Sequence, residues 1–315
     1  MNLENFIDEQ ITKIQTTVGD AKVICALSGG VDSSVVATLI NQAIGDQQIC
    51  LFIDTGLLRQ NEYAEVLESY EKIGLNVKPI DASEQFLAKL EGVSDPETKR
   101  KIIGREFIEI FEAEARKIDG AKFLAQGTIK ADVVESVTKD GSVAVKSHHN
   151  VGGLPENMDL ELIEPLRDLL KDEVRQVGSK LGLPNTIVQR QPFPGPGQAI
   201  RILGEVTKSR LEILSASDLI VRQEIEAWDK NREVWQFFAV LLPIKSVGIK
   251  NDERVYGQTI AIRAISPTDA TTASWSKLPH DLLARMSSRI TSEVAGINRV
   301  VYDITDKPPG TIEWE

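Results

Sequence analysis

Along the first half of the chain, short apolar runs without polar alternation are separated by longer stretches whose apolar residues fall three and four apart. KVICAL at 22–27 and QICLFID at 48–54 have the pattern of strands buried on both faces, and NVKPID at 76–81 and KFLAQG at 122–127 read as two more. Helical spacing fills the gaps. The N-terminal stretch puts Leu3, Phe6, Ile7, Ile11 and Ile14 on one face. A longer helix is predicted from Pro96 to Ile118, where Ile103, Phe107, Ile110, Phe111 and Ile118 form a stripe broken only by Glu114, with Pro96 in the first turn where proline is tolerated. Strands alternating with helices build a parallel sheet from βαβ units, so the expected class is α/β.

Further on, the pattern changes. A helix over Lys171 to Leu181 is stopped by Gly182 and Pro184, and QRQPFPGPGQAIR then punctuates the chain with three prolines and two glycines. That places a domain boundary near residue 188, with domains expected at 1–188 and 189–315. Beyond it come a helix over Lys208 to Trp228, strand-like KSVGIK and TIAIRAIS, a helix over Asp281 to Val294, then NRVVYDIT and TIEWE. This order predicts a smaller α+β domain, with TIEWE as an ordered terminal strand. The apolar run FFAVLLPI is expected either to form an exposed patch for a second copy of the chain or to fill the domain's own core. Between Lys139 and Met158 the sequence is polar and Gly-rich, which predicts a mobile loop at an active site.

Charge and composition narrow the function. Lys and Arg number 36 against 47 Asp and Glu, a formal charge of −11, which argues against a broad nucleic-acid or anionic-membrane surface and leaves any anionic ligand to a local pocket. The longest apolar run, Phe237 to Ile244, is too short for a membrane span and is broken by Pro243, and the acidic start MNLENFIDEQ does not resemble an export signal. Cys25 and Cys50 each sit inside an apolar run and are expected to be buried, reduced core residues, consistent with the cytoplasm.

Candidate chemistry centres on Ser28-Gly29-Gly30-Val31-Asp32-Ser33-Ser34, directly after a predicted strand and directly before a helical pattern. Two glycines let the backbone turn and approach a phosphate closely. The helix start supplies unpaired N–H groups and a positive dipole end, and the serines add hydroxyls. A serine-capped turn that binds nothing has the same local composition. The chain has neither G-x-x-x-x-G-K-[ST] nor G-x-G-x-x-G, so a Walker or dinucleotide site is excluded. Adjacent His148 and His149 do not make a zinc site, because sequence neighbours point apart, His280 is the only other histidine and no cysteine pair accompanies them.

SGGVDSS resembles the pyrophosphate loop of the N-type ATP pyrophosphatases, which cleave ATP between the α and β phosphates. Within them, the chain is similar from end to end to the synthetase part of the GMP synthetase family. The similarity is carried by DTGLLRQNE at 54–62, DPETKRKIIGREF at 95–107, LAQGTIKADVVES at 124–136, KSHHNVGGLP at 146–155, EPLRDLLKDEVR at 164–175, PFPGPGQAIRILGEV at 192–206 and KPPGTIEWE at 307–315. Most members also carry a glutaminase domain with a Cys-His-Glu nucleophile system. Here the loop begins at residue 28 and neither cysteine has a suitable setting, so the expectation is the stand-alone subunit of a two-subunit enzyme, with ammonia from a separate glutaminase.

The resemblance implies adenylation of XMP by MgATP, then amination to GMP with release of AMP and pyrophosphate. It implies a parallel-sheet ATP-pyrophosphatase domain, followed by a smaller domain that dimerises the chain and binds XMP. ATP and pyrophosphate are assigned to Ser28, Gly29, Gly30, Val31, Asp32, Ser33, Ser34, Gly127 and Thr128, with Asp32 as the Mg²⁺ ligand. Catalytic roles fall to Asp32, Asp132, Glu135 and Lys146, the last on the polar loop, and XMP to Arg59, Arg201, Lys307, Ile312 and Glu313. The alternatives are another ATP pyrophosphatase, such as an NAD synthetase or a tRNA thiolase, and a nucleotide-binding module without turnover. A thiolase would call for reactive cysteines and a basic surface, which this composition does not offer.

Overall fold

The computed structural model describes residues 3–136, 160–250, 252–267 and 272–315. The elements run α1 (Leu3–Val18), β1 (Lys22–Leu27), α2 (Val31–Ile44), β2 (Gln48–Asp54), α3 (Glu62–Lys72), β3 (Val77–Asp81), α4 (Ser83–Leu90), α5 (Pro96–Ala115), β4 (Ala121–Ala125) and α6 (Lys130–Ser136). After the segment not described come β5 (Glu161–Ile163), α7 (Lys171–Lys180), α8 (Asn185–Val188), α9 (Lys208–Glu226), β6 (Gln236–Lys250), β7 (Glu253–Pro267), β8 (Ala273–Trp275), α10 (His280–Glu293) and β9 (Ile297–Tyr302).

Two compact units result. The first comprises Met1–Thr55, Glu62–Ala82 and Ile103–Phe193; the second comprises Gly56–Asn61, Ser83–Ile102 and Pro194–Glu315. They are not the contiguous 1–188 and 189–315 expected. Polar contacts explain the difference: the Gln198 N–H donates to the Leu57 carbonyl at 2.8 Å, the Gly92 N–H donates to Glu205 at 3.0 Å, and the Lys99 ammonium donates to the Ile202 carbonyl at 2.7 Å. These bonds hold 56–61 and 83–102 to the segment that follows Phe193.

In the first unit, five parallel strands run in the order β3-β2-β1-β4-β5. The central strands are buried on both faces, as their unalternating sequence requires: Val23, Ile24, Cys25 and Leu27 of β1 and Cys50, Leu51, Phe52 and Ile53 of β2 are all buried. Cys25 and Cys50 are register partners on these neighbouring strands, both free thiols, and the Cys25 pKa is raised well above its usual value, first by hydrogen bonding with Cys50 and then by burial. The helix α2 buries every residue from Ser33 to Ile40, while α1 turns Ile14 and Val18 inward. The stripe on α5 holds in part: Ile103, Ile110 and Phe111 are buried, but the helix ends at Ala115 and Ile118 lies in the turn after it.

The second unit is built on a four-stranded sheet in which β7 pairs antiparallel with β6 and β8 and parallel with β9. The hairpin β6–β7 is much longer than the strand-like segments read from the sequence. Its register shifts between Leu242 and Lys245, where Pro243 has no N–H for the ladder. Before the shift β6 is buried; after it β6 is mostly exposed. FFAVLLPI therefore fills the unit's own core up to Leu242 rather than forming an exposed patch, and only Pro243 and Ile244 at its end are exposed. No strand forms at TIEWE. That segment is irregular, and side chains hold it in place. No helix among the described residues is long and apolar enough to cross a membrane.

Candidate functional site

The chain order places one special point in the first sheet. From β1 the chain adds β2 and β3 on one side, then crosses to add β4 and β5 on the other, so the connections that follow β1 and β4 lead to opposite sides of the sheet from adjacent carboxyl ends. Open parallel sheets place ligands in that crevice. The loop after β1 is Ser28-Gly29-Gly30, and the one after β4 contains Gly127 and Thr128. They meet closely: a Cβ on Gly127 would lie 3.0 Å from the Ser33 nitrogen and 3.1 Å from the Asp32 carbonyl carbon, so only glycine fits without displacing the start of α2.

Gly29 takes the left-handed conformation, φ +74°, and Gly30 precedes α2 with no side-chain cap on the helix N–H groups. The hydroxyls organise the loop from within. Ser28 Oγ accepts from the Gly30 N–H at 3.3 Å and lies 3.1 Å from Ser33 Oγ, which donates to the Gly30 carbonyl at 3.1 Å. Ser34, assigned to the nucleotide from the sequence, is instead fully buried; its hydroxyl donates to the Gly30 carbonyl at 2.8 Å and lies 2.9 Å from the Tyr70 hydroxyl, whose pKa burial pushes up. Val31 is also buried and offers the loop only its backbone.

Asp32 stands in the first turn of α2, where the dipole favours a carboxylate. Its Oδ2 accepts from the Lys171 ammonium at 2.6 Å, while its Oδ1 is buried with no hydrogen-bond partner among the described residues. Lys171 opens α7 inside the quoted block EPLRDLLKDEVR and received no role from the sequence. A lysine in an exposed helix turn carries no signal until the fold brings it to Asp32. Thr128 is buried and donates from Oγ1 to Glu164 at 2.5 Å, and Glu164 also pairs with Arg167. Asp132 accepts from the Ile129 N–H at 2.9 Å, a local bond at the start of α6, and Glu135 lies in the last turn of that helix. Lys146, His148 and His149, with the rest of the polar stretch 139–158, lie outside the described residues.

The other set of assigned residues lies in the second unit. Arg59 is buried, its Nε 3.3 Å from Asp218 Oδ2, and its pKa is lowered to about 10, first by burial, with Asp218 opposing. Arg201 is fully buried, donates from Nε and Nη2 to Glu313 at 3.0 and 2.8 Å, and stacks 4.0 Å above the Phe238 ring. Glu313 also accepts from Gln236 at 3.3 Å, and Ile312 packs against the core of Phe238, Val240, Leu242 and Ala261. The structure thus brings Arg59, Arg201, Ile312 and Glu313 into one unit. Lys307 exchanges backbone hydrogen bonds with Ala273 at 3.1 and 2.8 Å. Sequence reasoning missed Asp218, a buried acid on α9, and Lys99, fully buried on α5, because neither interrupts a helical pattern in a way that reveals its partner.

A five-stranded parallel sheet with a glycine-serine loop at its switch point defines an α/β domain, and residues 1–106 match the NAD synthase family model. Residues 223–314 match the model of the GMP synthase C terminal domain. Over its whole length the chain is 59% identical to a GMP synthase [glutamine-hydrolyzing] of Oceanobacillus iheyensis across 315 residues, which are 61% of that relative. Across 311 residues it is 58% identical to one of Aquifex aeolicus, covering 99% of this chain and again 61% of the relative. The similarity to these GMP synthases runs along the whole of this chain, which spans about 61% of the length of the curated relatives it matches. Among solved structures, an NMN synthetase from Francisella tularensis aligns at 18% identity over 63% of this chain and 79% of that one, with a TM-score of 0.47. An NH3-dependent NAD synthetase from Campylobacter jejuni aligns at 15% identity over 74% and 86%, with a TM-score of 0.45.

Proposed function

We propose that this chain performs the synthetase half-reactions of a GMP synthase. ATP adenylates the O2 oxygen of XMP with release of pyrophosphate, and ammonia then attacks C2 and expels AMP to leave GMP. The observation that supports this reading most is the pairing, in one chain, of the glycine-serine loop at the sheet's switch point with a match to the GMP synthase C terminal domain. Charge develops on the departing pyrophosphate, so the residues' work is electrostatic: the backbone donors of Gly30 to Ser33 and the Lys171 ammonium face developing negative charge.

Mg²⁺ fits the donor set. Asp32 Oδ1 is a buried oxygen with no hydrogen-bond partner among the described residues, and Mg²⁺ is commonly held by one or two carboxylates with phosphate and water completing its shell. When bound, the ion would neutralise the phosphate oxygens. Lys171 would hold the second Asp32 oxygen and so orient the first. Lys146 is assigned to the phosphates, and Asp132 and Glu135 to the nucleotide, through the family resemblance alone. In the second unit, Arg59, Arg201, Lys307, Ile312 and Glu313 would serve XMP. Arg201 would act chiefly by holding Glu313, since two of its donors already bond that carboxylate.

Ammonia would come from a glutaminase acting as a separate partner, and the setting would be cytoplasmic, where Cys25 and Cys50 stay reduced. A homodimer would use the outer half of the β6–β7 hairpin, where Val247, Ile249 and Tyr256 expose apolar surface on one face. The deciding experiment is pyrophosphate release by the purified chain supplied with MgATP, XMP and ammonium. Release should require XMP, GMP should appear in equal amount, and glutamine should not replace ammonium. Release without XMP, or none under any of these conditions, would overturn the assignment.

A further inference from the structure

Arg190 lies just beyond α8 and reaches the phosphate loop. Its Nη1 donates to the Gly29 carbonyl, and its Nη2 donates to Oε1 of Glu62, the first residue of α3. Glu62 is a buried carboxylate and Arg190 is only partly exposed, so the fork is held on its carboxylate side inside the protein. Gly29 is packed against it: a Cβ there would fall 2.8 Å from Arg190 Nη1 and 3.4 Å from Val66 Cγ2.

In a planar trans peptide the C=O of Gly29 and the N–H of Gly30 point in opposite directions. With the carbonyl turned to Arg190, the Gly30 N–H is turned to the other side, where it lies against Ser28 Oγ at 3.3 Å. Glycine accepts either sign of φ at low cost, so a Gly-Gly peptide can flip unless something fixes it. A flip would aim a carbonyl dipole at the anion in place of a donor. A guanidinium bonded to the carbonyl opposes the flip, and by polarising the amide it strengthens the N–H on the far side.

We infer that Arg190, braced by Glu62, is a positioning residue that locks the Gly29–Gly30 peptide with its N–H toward the pyrophosphate. This rests on the reading of the loop given under the proposed function. It differs from direct contact between Arg190 and phosphate in one sign. Removing the negative charge of Glu62 should tighten anion binding if Arg190 acts as a free charge, but weaken it if Glu62 braces the lock.

The test measures binding of inorganic pyrophosphate with Mg²⁺ by calorimetry, and the KM for ATP and for XMP, in Arg190→Met, Arg190→Lys, Glu62→Gln and the double variant Arg190→Met/Glu62→Gln. Arg190→Met should weaken pyrophosphate at least tenfold and raise the KM for ATP while leaving that for XMP within twofold. Arg190→Lys should restore part of the loss. Glu62→Gln should also weaken binding, and add nothing in the double variant. Far-UV circular dichroism and thermal melting check that each variant folds. Tighter or unchanged binding in folded Glu62→Gln, or unchanged binding in Arg190→Met, would overturn the inference alone. Failure of the wild-type chain to bind pyrophosphate at all would overturn the loop reading beneath it.

Discussion

Replacing Lys99 by methionine should unfold the second unit at far lower denaturant than any surface change could. The Lys99 ammonium is fully buried and donates to three acceptors: the Ala199 carbonyl at 3.2 Å, the Ile202 carbonyl at 2.7 Å and Glu315 Oε2 at 2.5 Å. Burial lowers its pKa and Glu315 works against that shift, so the carboxylate offsets part of the desolvation cost. Methionine would fit the space but leave two carbonyls and a nearly buried carboxylate without their donor. Breaking one side of such a pair costs about 3–5 kcal/mol. With a urea slope of about 2 kcal/mol/M, the midpoint falls by about 2 M. The assay can be confined to this unit, because Trp228, Trp235, Trp275 and Trp314 all lie in Pro194–Glu315, and intrinsic tryptophan fluorescence follows it alone. Pairing Lys99→Met with Glu315→Leu removes the orphaned charge and should recover at least about 2 kcal/mol of the loss. A single-variant cost under about 1 kcal/mol, or a double variant that is merely additive, would refute the reasoning.

Other outcomes follow from the first unit. Asp32→Asn should lower kcat by about a hundredfold at saturating MgATP and leave the KM for XMP nearly unchanged, as removal of transition-state stabilisation does; equal kcat values would count against the Mg²⁺ assignment. Lys171→Met should lower kcat in the same direction by at least about tenfold, measured as pyrophosphate release, since Asp32 loses the ammonium that orients it; an unchanged kcat would make that ion pair purely structural. Gly127→Ala should raise the KM for ATP by about tenfold or more, because the new Cβ displaces the start of α2; ATP kinetics equal to wild type would show that the start of α2 tolerates the shift. Glu114 accepts from Lys117 and Lys78, and these hydrogen bonds hold its pKa below the usual 4.5. A depressed carboxylate pKa adds stability that is present above about pH 4.5 and lost as pH falls through the folded value. Glu114→Gln should therefore flatten the acid limb of stability, read by far-UV circular dichroism, by less than about 1 kcal/mol; an unchanged limb would remove Glu114 from the account.

How much of this was legible in the sequence depends on the range of the interaction. Periodicity and flanking chemistry placed β1, β2 and α2 because their signals are local: unalternating apolar runs, then Gly29 and Gly30, then a helical repeat. The prolines and glycines of QRQPFPGPG put a boundary near residue 188, whereas the last passage between units falls at Phe193 and Pro194. What failed was nonlocal. Nothing in DPETKRK announces that Lys99 finds acceptors more than 100 residues away, or that 83–102 leaves the first unit. TIEWE has strand-like residues, yet its edge is not paired into the sheet; Arg201 and Lys99 fix it through the Glu313 and Glu315 carboxylates, and Arg100 through the Glu315 main-chain oxygen. Ser34 looked like Ser33, and only the burial of its helix face turned its hydroxyl to Tyr70. Lys171 meets Asp32 only through the tertiary fold, 139 residues apart in sequence.

The interleaving of the two units also constrains how the chain can be made and divided. During synthesis, segments 56–61 and 83–102 emerge well before Pro194, and the partners they will bond have not yet been translated. Arg59 must wait for Asp218, and Lys99 for Glu315, as solvated cations on a partly folded nascent chain. The second unit can close only after Glu315 has emerged, through contacts of long sequence separation that form slowly. A polypeptide ending near residue 193 would carry the whole five-stranded sheet together with two charged segments that have nowhere to dock. Cutting this protein into halves that each behave well would require moving those segments as well as choosing a cleavage point.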